Sequence, residues 1–269
     1  MSSLSISTAW EESRAIIARD GKLLVTVALA LIVLPETVLA VIGPPAGPQA
    51  SGLSAIAYIV AVLLGVAAQI ALNRLAIGPA VTVGSAIATG FRRLASVAVV
   101  ALLVGVAIMV VAVLLLLLLT SIGAIAMPAP GQAPPPLLVT MLVLIVVLAF
   151  AVFELVFPLA AVETGNPLRL IARAWALARP NYLRLLGFVA IVVVSLVLIV
   201  GATQVGLGSL VLLTLGKPYP GSPAALAIGI VAGLIQAGFT IVTAVMIARI
   251  YLQLAGRHEA QVGVPNSGT

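Results

Sequence analysis

Glu154 is the residue of this chain best placed to do chemistry. It sits in "LAFAVFELVFPLA", a carboxyl group flanked on both sides by apolar residues. An ionised carboxylate inside hydrocarbon is costly, so an intramembrane acid points to a site and to a partner. About 8 residues separate it from the end of its apolar run, roughly 12 Å of helix at ~1.5 Å per residue. Arg74 and Arg249 are the candidate partners. At an offset of 81 residues, argued below as a repeat, Asn73 takes the equivalent place. One reading is a proton-coupled or headgroup-binding site. The other is a polar clamp between helices, which Asn73 suits, because an amide hydrogen-bonds well but carries no proton.

The remaining polar residues offer less. Glu36 follows Pro35 late in the first apolar run, where the acid can reach the membrane surface and the proline can kink the helix. Gln69, Gln204 and Gln236 lie within apolar runs and suit hydrogen bonds between helices. The one histidine, His258, stands in the polar segment "GRHEAQ" with no partner for a metal site or a triad. The absence of cysteine excludes disulfides and thiolate ligands. No acidic pair suits acid–base work, so no catalytic residue, metal site or cofactor is expected, and an enzyme is not.

The elements that hold these residues follow from composition. The chain has 269 residues, 63% hydrophobic and 7% charged, with a mean hydropathy of +1.32. A soluble fold needs roughly a quarter of its residues charged, so most of this surface must face lipid. Six apolar runs fall at about Leu23–Ile42, Leu53–Ile77, Leu94–Met127, Leu137–Val162, Leu183–Leu215 and Ala224–Leu252. Each reaches the roughly 20 residues that span a bilayer. The third and fifth are long. Gly201, Gly206 and Gly208 make the fifth the one expected to break. "GVAIMVVA" and "GIVAG" are small-residue stretches that permit close helix approach.

The connections alternate between two chemistries. "GPPAGPQASG", "MPAPGQAPPP" and "GKPYPGSP" are rich in proline and glycine and nearly uncharged, as short hairpin loops are. Of the thirteen Lys and Arg, all but Lys217 gather at the opposite ends of the runs and at the termini. The positive-inside rule then places both termini in the cytoplasm. The net charge of +6 is spread along membrane edges, which argues for lipid and against nucleic acid.

"NPLRLIARAWALARPNYLRLLGF" reads as an interfacial helix on the cytoplasmic side. Asn166 can cap it and Pro167 suits its first turn. Leu170, Ile171, Ala174, Trp175 and Ala178 share one face, with Arg169 and Arg173 on the other. Pro180 ends it. Such a helix lies apolar side down with its arginines at anionic headgroups. Trp10, Arg92, Arg93, Trp175, Arg179, Tyr182 and Arg184 are the further interface candidates.

The pattern recurs. "AVTVGSAIATGFRRL" and "AVETGNPLRLIARAW" share Ala, Val, Gly and Arg in register, and "STAWEESRAIIARDGKLL" is a looser copy with Thr8 and Glu11 at capping-box spacing. The expected fold is an all-α membrane protein, a single polytopic domain over 1–269. Its six transmembrane helices form three hairpins, each preceded by an amphipathic interfacial helix. The repeats cover about 5–78, 79–162 and 163–256, with 257–269 a flexible cytoplasmic tail. A pseudo-threefold bundle is the arrangement such a repeat predicts.

"FPLAAVETGNPLRLIARAWALARPNYLRLLGF" and the ending "ARIYLQLAGRHE" resemble the membrane domain found beside bacterial glycerophosphodiester phosphodiesterases, and related stand-alone multi-pass proteins. The resemblance implies six helices and a bacterial inner membrane. It does not imply phosphodiesterase activity, which belongs to a separate soluble barrel. The preferred functional expectation is a structural or accessory membrane protein, touching anionic lipid, a membrane protein partner or a second copy through its basic helices. The alternative is a transporter or lipid-handling protein with a path near Glu154 and Asn73.

Overall fold

The computed structural model describes residues 4–43, 51–78, 81–126, 135–163 and 165–262, without the side chains of Gln204 and residues 257–262. The tips of the first two proline-rich loops, His258's side chain and the segment after Val262 lie outside the described residues. The described chain is α-helical throughout, with no strand among the described residues. Among the described residues six helices are long and apolar enough to cross a membrane, and the protein is a multi-pass membrane protein.

The first span combines α1 (Ile6–Ala28), a π-helical turn at Leu29–Val33 and α2 (Leu34–Ile42). The second is α3 (Gly52–Ile77) and the third α4 (Val83–Ser121). The fourth divides into α5 (Pro136–Phe153) and α6 (Val156–Val162). A short helix α7 (Pro167–Ala178) and a 3-10 turn at Arg179–Asn181 lead into the fifth span, α8 (Tyr182–Leu215). The sixth is α9 (Pro223–Val262), which carries helix into the segment expected as a tail. The expected ends at Ile42, Ile77, Val162 and Leu215 coincide with helix ends. The third span stops short of the expected Met127, in a turn where Gly123 takes a φ of 71°.

Local chemistry starts these helices. Ser51 and Ser54 form a reciprocal capping box at α3, with Ser54 N–H donating to Ser51 Oγ at 3.1 Å. Thr82 caps α4. At the N-terminus the cap is Ser5, whose Oγ accepts from the Thr8 N–H at 3.2 Å, one turn before the expected Thr8 and Glu11 box. Asn166 caps α7 as expected, accepting from the Leu168 N–H at 3.2 Å.

A separate helix precedes only the fifth span. In the other two units the basic segment runs straight into its span, as α1 and α4. The physical difference is Pro180: neither "RAIIARDGKLL" nor "GFRRLASVAVV" contains a proline to interrupt the hydrogen-bond ladder.

Lipid solvates apolar side chains as well as a protein core does, so helices here associate through close packing. α9 is the centre of the bundle, touching α1, α2, α3 and α8, while α3 packs most extensively on α4. Small residues make this possible. A Cβ at Gly229 would lie 2.6 Å from Ala40 Cβ, and one at Gly233 3.1 Å from Val33 Cα, so "GIVAG" is the seam on which the first and last spans meet. A Cβ at Gly90 would lie 2.5 Å from the Ala67 carbonyl oxygen, which fixes the crossing of α3 and α4. Gly105 of "GVAIMVVA" faces open space, so that stretch makes no such contact.

Candidate functional site

Two of the six spans are interrupted, and both interruptions adjoin an acid. α5 stops at Phe153, Glu154 and Leu155 form a turn, and α6 resumes at Val156. The Leu155 N–H reaches back only three residues, to Val152 O at 3.2 Å. The cause is Pro158. It has no N–H to return to the Glu154 carbonyl four residues earlier, and its ring crowds that carbonyl. In the first span the Leu34 N–H bonds to Leu29 O across a five-residue turn, immediately before Pro35 and Glu36. Insertions of this π type often mark functional positions. The expected break in the fifth span is not found: α8 runs without interruption through Gly201, Gly206 and Gly208, because glycine weakens a helix but keeps its N–H, whereas proline removes one.

Between the interrupted spans lies a cavity of about 440 Å³, within the roughly 300–1,000 Å³ of small-molecule sites. The first, second, fourth, fifth and sixth spans all line it; the third does not. Along α3 it extends from Tyr58 to Gln69, roughly 16 Å at ~1.5 Å per residue, well inside the membrane-length part of the bundle. Its polar groups are Glu36, Gln69, Glu154, Gln236, Thr240 and Thr243, with the Tyr58 hydroxyl toward the proline-rich end. No Lys, Arg or His lines it among the described residues.

Glu154 is half-buried as a residue, yet its Oε2 is fully covered and has no hydrogen-bond partner. Neither expected partner reaches it. Arg249 Nη2 donates to the Ala76 carbonyl at 3.1 Å, capping the last turn of α3, where the end of a helix attracts a cation. Arg74 lines a separate polar cleft of about 470 Å³ with Thr89, Arg92 and Arg93 at the charged end. Asn73, the repeat counterpart, is fully buried and donates from Nδ2 to Gln69 O at 2.8 Å. It does not line the cavity; Gln69, one turn earlier, does. Glu36 lines the same cavity as Glu154, and Gln69 and Gln236 face it as well.

The interface candidates hold different places. Trp10, Arg92, Arg169, Arg179 and Arg184 are exposed and Arg93 is half-buried. Arg173 pairs with Glu163 at 2.9 Å, and Arg184 Nη1 donates to the Leu4 carbonyl at 3.0 Å. The Tyr182 hydroxyl donates to Leu148 O at 2.9 Å, tying α8 to α5. In α7, Leu170, Ala174, Leu177 and Ala178 are buried in the protein core, so this face is covered by the bundle and not by lipid. Trp175, expected on that face, is 52% exposed and lies 6.0 Å from the Tyr182 ring.

Sequence reasoning missed the aromatic lining. Five of the chain's six phenylalanines, Phe150, Phe153, Phe157, Phe188 and Phe239, line the cavity. Phe153 and Phe157 meet edge to face at 5.3 Å. The signal was present: Phe150, Phe153 and Phe157 recur at three- and four-residue spacing around Glu154, one face of a helix. No family model, characterised protein or solved structure matches the chain.

Proposed function

We propose that this multi-pass membrane protein binds a small amphiphilic molecule in the cavity beside Glu154 and passes it along the bundle, as a transporter or lipid-handling protein. The observation that carries this reading is the covered, unpartnered Glu154 Oε2 at a break in the fourth span, facing a cavity of ligand size. Irregular backbone at membrane depth is tolerated where it lines a cavity, and discontinuous helices of this kind build midplane sites in transporters. A polar clamp would instead have brought Arg74, Arg249 or an amide onto the carboxyl group. The reading is one of binding and passage and assigns no catalytic residue.

The accessory role expected from the sequence is the second reading. Exposed Arg92 and Arg169 and the arginine-lined cleft at the charged end favour it, because each offers donors to anionic headgroups. In both readings the charged end faces the cytoplasm of a bacterial inner membrane, on the strength of the positive-inside rule. A protein partner or a second copy would meet the same basic surface.

Labelling of single cysteines tests the reading, since the native chain has none. Gln69→Cys should react with a water-soluble methanethiosulfonate reagent, because a pathway for polar groups must admit water. Leu102→Cys, on the 65%-exposed outer side of α4, should not. Equal inertness at both positions would sink the proposal.

A further inference from the structure

We infer that the cavity takes a lipophilic organic cation, an ammonium or phosphonium centre carrying aromatic or aliphatic groups, with Glu154 as its counter-charge. This rests on the reading of the cavity as a ligand site and narrows it to one chemical class. Three observations point the same way.

The first is the sign of the charge. Two carboxyl groups, Glu36 and Glu154, line the cavity and no basic side chain does. Of the arginines nearest to it in sequence, Arg249 donates to the Ala76 carbonyl, Arg184 donates to the Leu4 carbonyl and Arg74 lines the cleft with Arg92 and Arg93; none of them lines the cavity. An anion would find no donor of matching charge here.

The second is the wall. Five of six phenylalanines in a chain that is only 4% aromatic converge on this one space. The face of an aromatic ring is electron-rich and attracts a cation, most strongly where water is excluded, and such cages are a recurring way to hold quaternary ammonium groups. A metal ion of hard character needs a shell of six or more oxygens. Among the described residues no cluster of three or more potential metal ligands exists, and apolar walls cannot supply one.

The third is the vacancy in the bonding of Glu154. Its Oε2 is covered and unpartnered, and Pro158 brings no N–H to the break. A neutral lipid tail filling the cavity would leave that carboxyl group without a partner, which is unfavourable. A cation supplies what is missing.

The experiment uses the full chain in phosphatidylcholine nanodiscs, with empty discs subtracted. Saturable binding is measured separately for tetraphenylphosphonium, for tetraphenylborate, which matches it in size with opposite charge, and for neutral triphenylphosphine oxide. Tetraphenylphosphonium should saturate at one site, at least tenfold tighter than either of the others. Glu154→Gln should weaken it at least tenfold, and Phe153→Leu severalfold. The charge preference is read on the native protein, so the test stands even if a variant misfolds. Binding that ignores charge but is blocked by Gly65→Trp would overturn the cation assignment and leave the ligand site intact. No saturable binding of any probe would also overturn it; together with an unreactive Gln69→Cys it would overturn the site itself.

Discussion

Pro158 stands one helical turn beyond Glu154 and cannot donate to its carbonyl, so the fourth span turns aside at the residue that carries its only charge. The residue that breaks the ladder and the residue that lines the cavity are four apart in the sequence. Proline in a helix interior costs ~3 kcal/mol or more. Pro158→Ala should therefore straighten the α5–α6 junction and raise the thermal stability of the detergent-solubilised protein. The same change should lower the reactivity of Gln69→Cys by re-aiming Glu154. Higher stability with unaltered reactivity would separate the break from the cavity.

The seam between the first and last spans makes a steric prediction. Gly229→Ala places a methyl group 2.6 Å from Ala40 Cβ, a distance that forces the helices apart. Overpacking of this kind costs about 1–3 kcal/mol, to be read as a lower midpoint of thermal unfolding in detergent. Gly238→Ala is the control, because nothing lies within 4 Å of its Cβ position. It should be neutral or slightly stabilising, as alanine is the better helix former.

Asn73 and Glu154 should respond in opposite ways. Asn73 is buried, with Nδ2 bonded to its own helix and Oδ1 without a partner. Asn73→Leu exchanges a poorly satisfied amide for an apolar group of similar size, which should change stability by no more than about 1 kcal/mol and leave tetraphenylphosphonium binding unchanged. A large loss of binding in this variant would move the site from Gln69 to Asn73.

Arg249 ties the last span to the end of the second. Arg249→Ala removes the donor to the Ala76 carbonyl. A hydrogen bond to a charged donor is worth roughly 1.5–3 kcal/mol, and the half-buried position of this one sets the expectation at the low end. Amide hydrogen exchange should rise in the last turn of α3 and not in its middle.

The basic surface makes a prediction about lipid. Arg169 is exposed and free of the Arg173–Glu163 pair. Arg169→Glu should reduce the preference of the reconstituted protein for anionic over neutral lipid, with little change in thermal stability. The Arg173–Glu163 pair is itself half-exposed and worth less than about 1 kcal/mol, so Arg173→Gln should be nearly silent in stability.

Much of the architecture was legible because a single physical constraint dominates it. Long apolar runs must cross the bilayer as helices, and their ends at Ile42, Ile77, Val162 and Leu215 are marked by the polar, proline or glycine residues that follow. The caps at Asn166 and the role of Pro180 were equally local, and equally readable. What failed was tertiary. Arg249 lies closer to Ala76 than to Glu154 only because of how α9 crosses α3, and no periodicity encodes that crossing. Pro35 was read as a kink of the first span, but the break expected at the glycines of α8 lies instead in the fourth span, before Pro158. Glu154 was found from its chemistry alone; Phe150, Phe153 and Phe157 were readable on the same span and went unread, while Phe188 and Phe239 join them only through the packing of the fifth and sixth spans.

The place of α9 sets an order on how the molecule is made. It is the latest of the six spans to leave the ribosome, yet α1, α2 and α3 all pack against it, the first span closing on it through the glycines at 229 and 233. Until it arrives, the earlier spans wait in the bilayer with their mating grooves filled by lipid. A chain stalled before Pro223 keeps the packing of α3 on α4 but lacks the helix on which the first span closes, and is not a shorter version of the same protein.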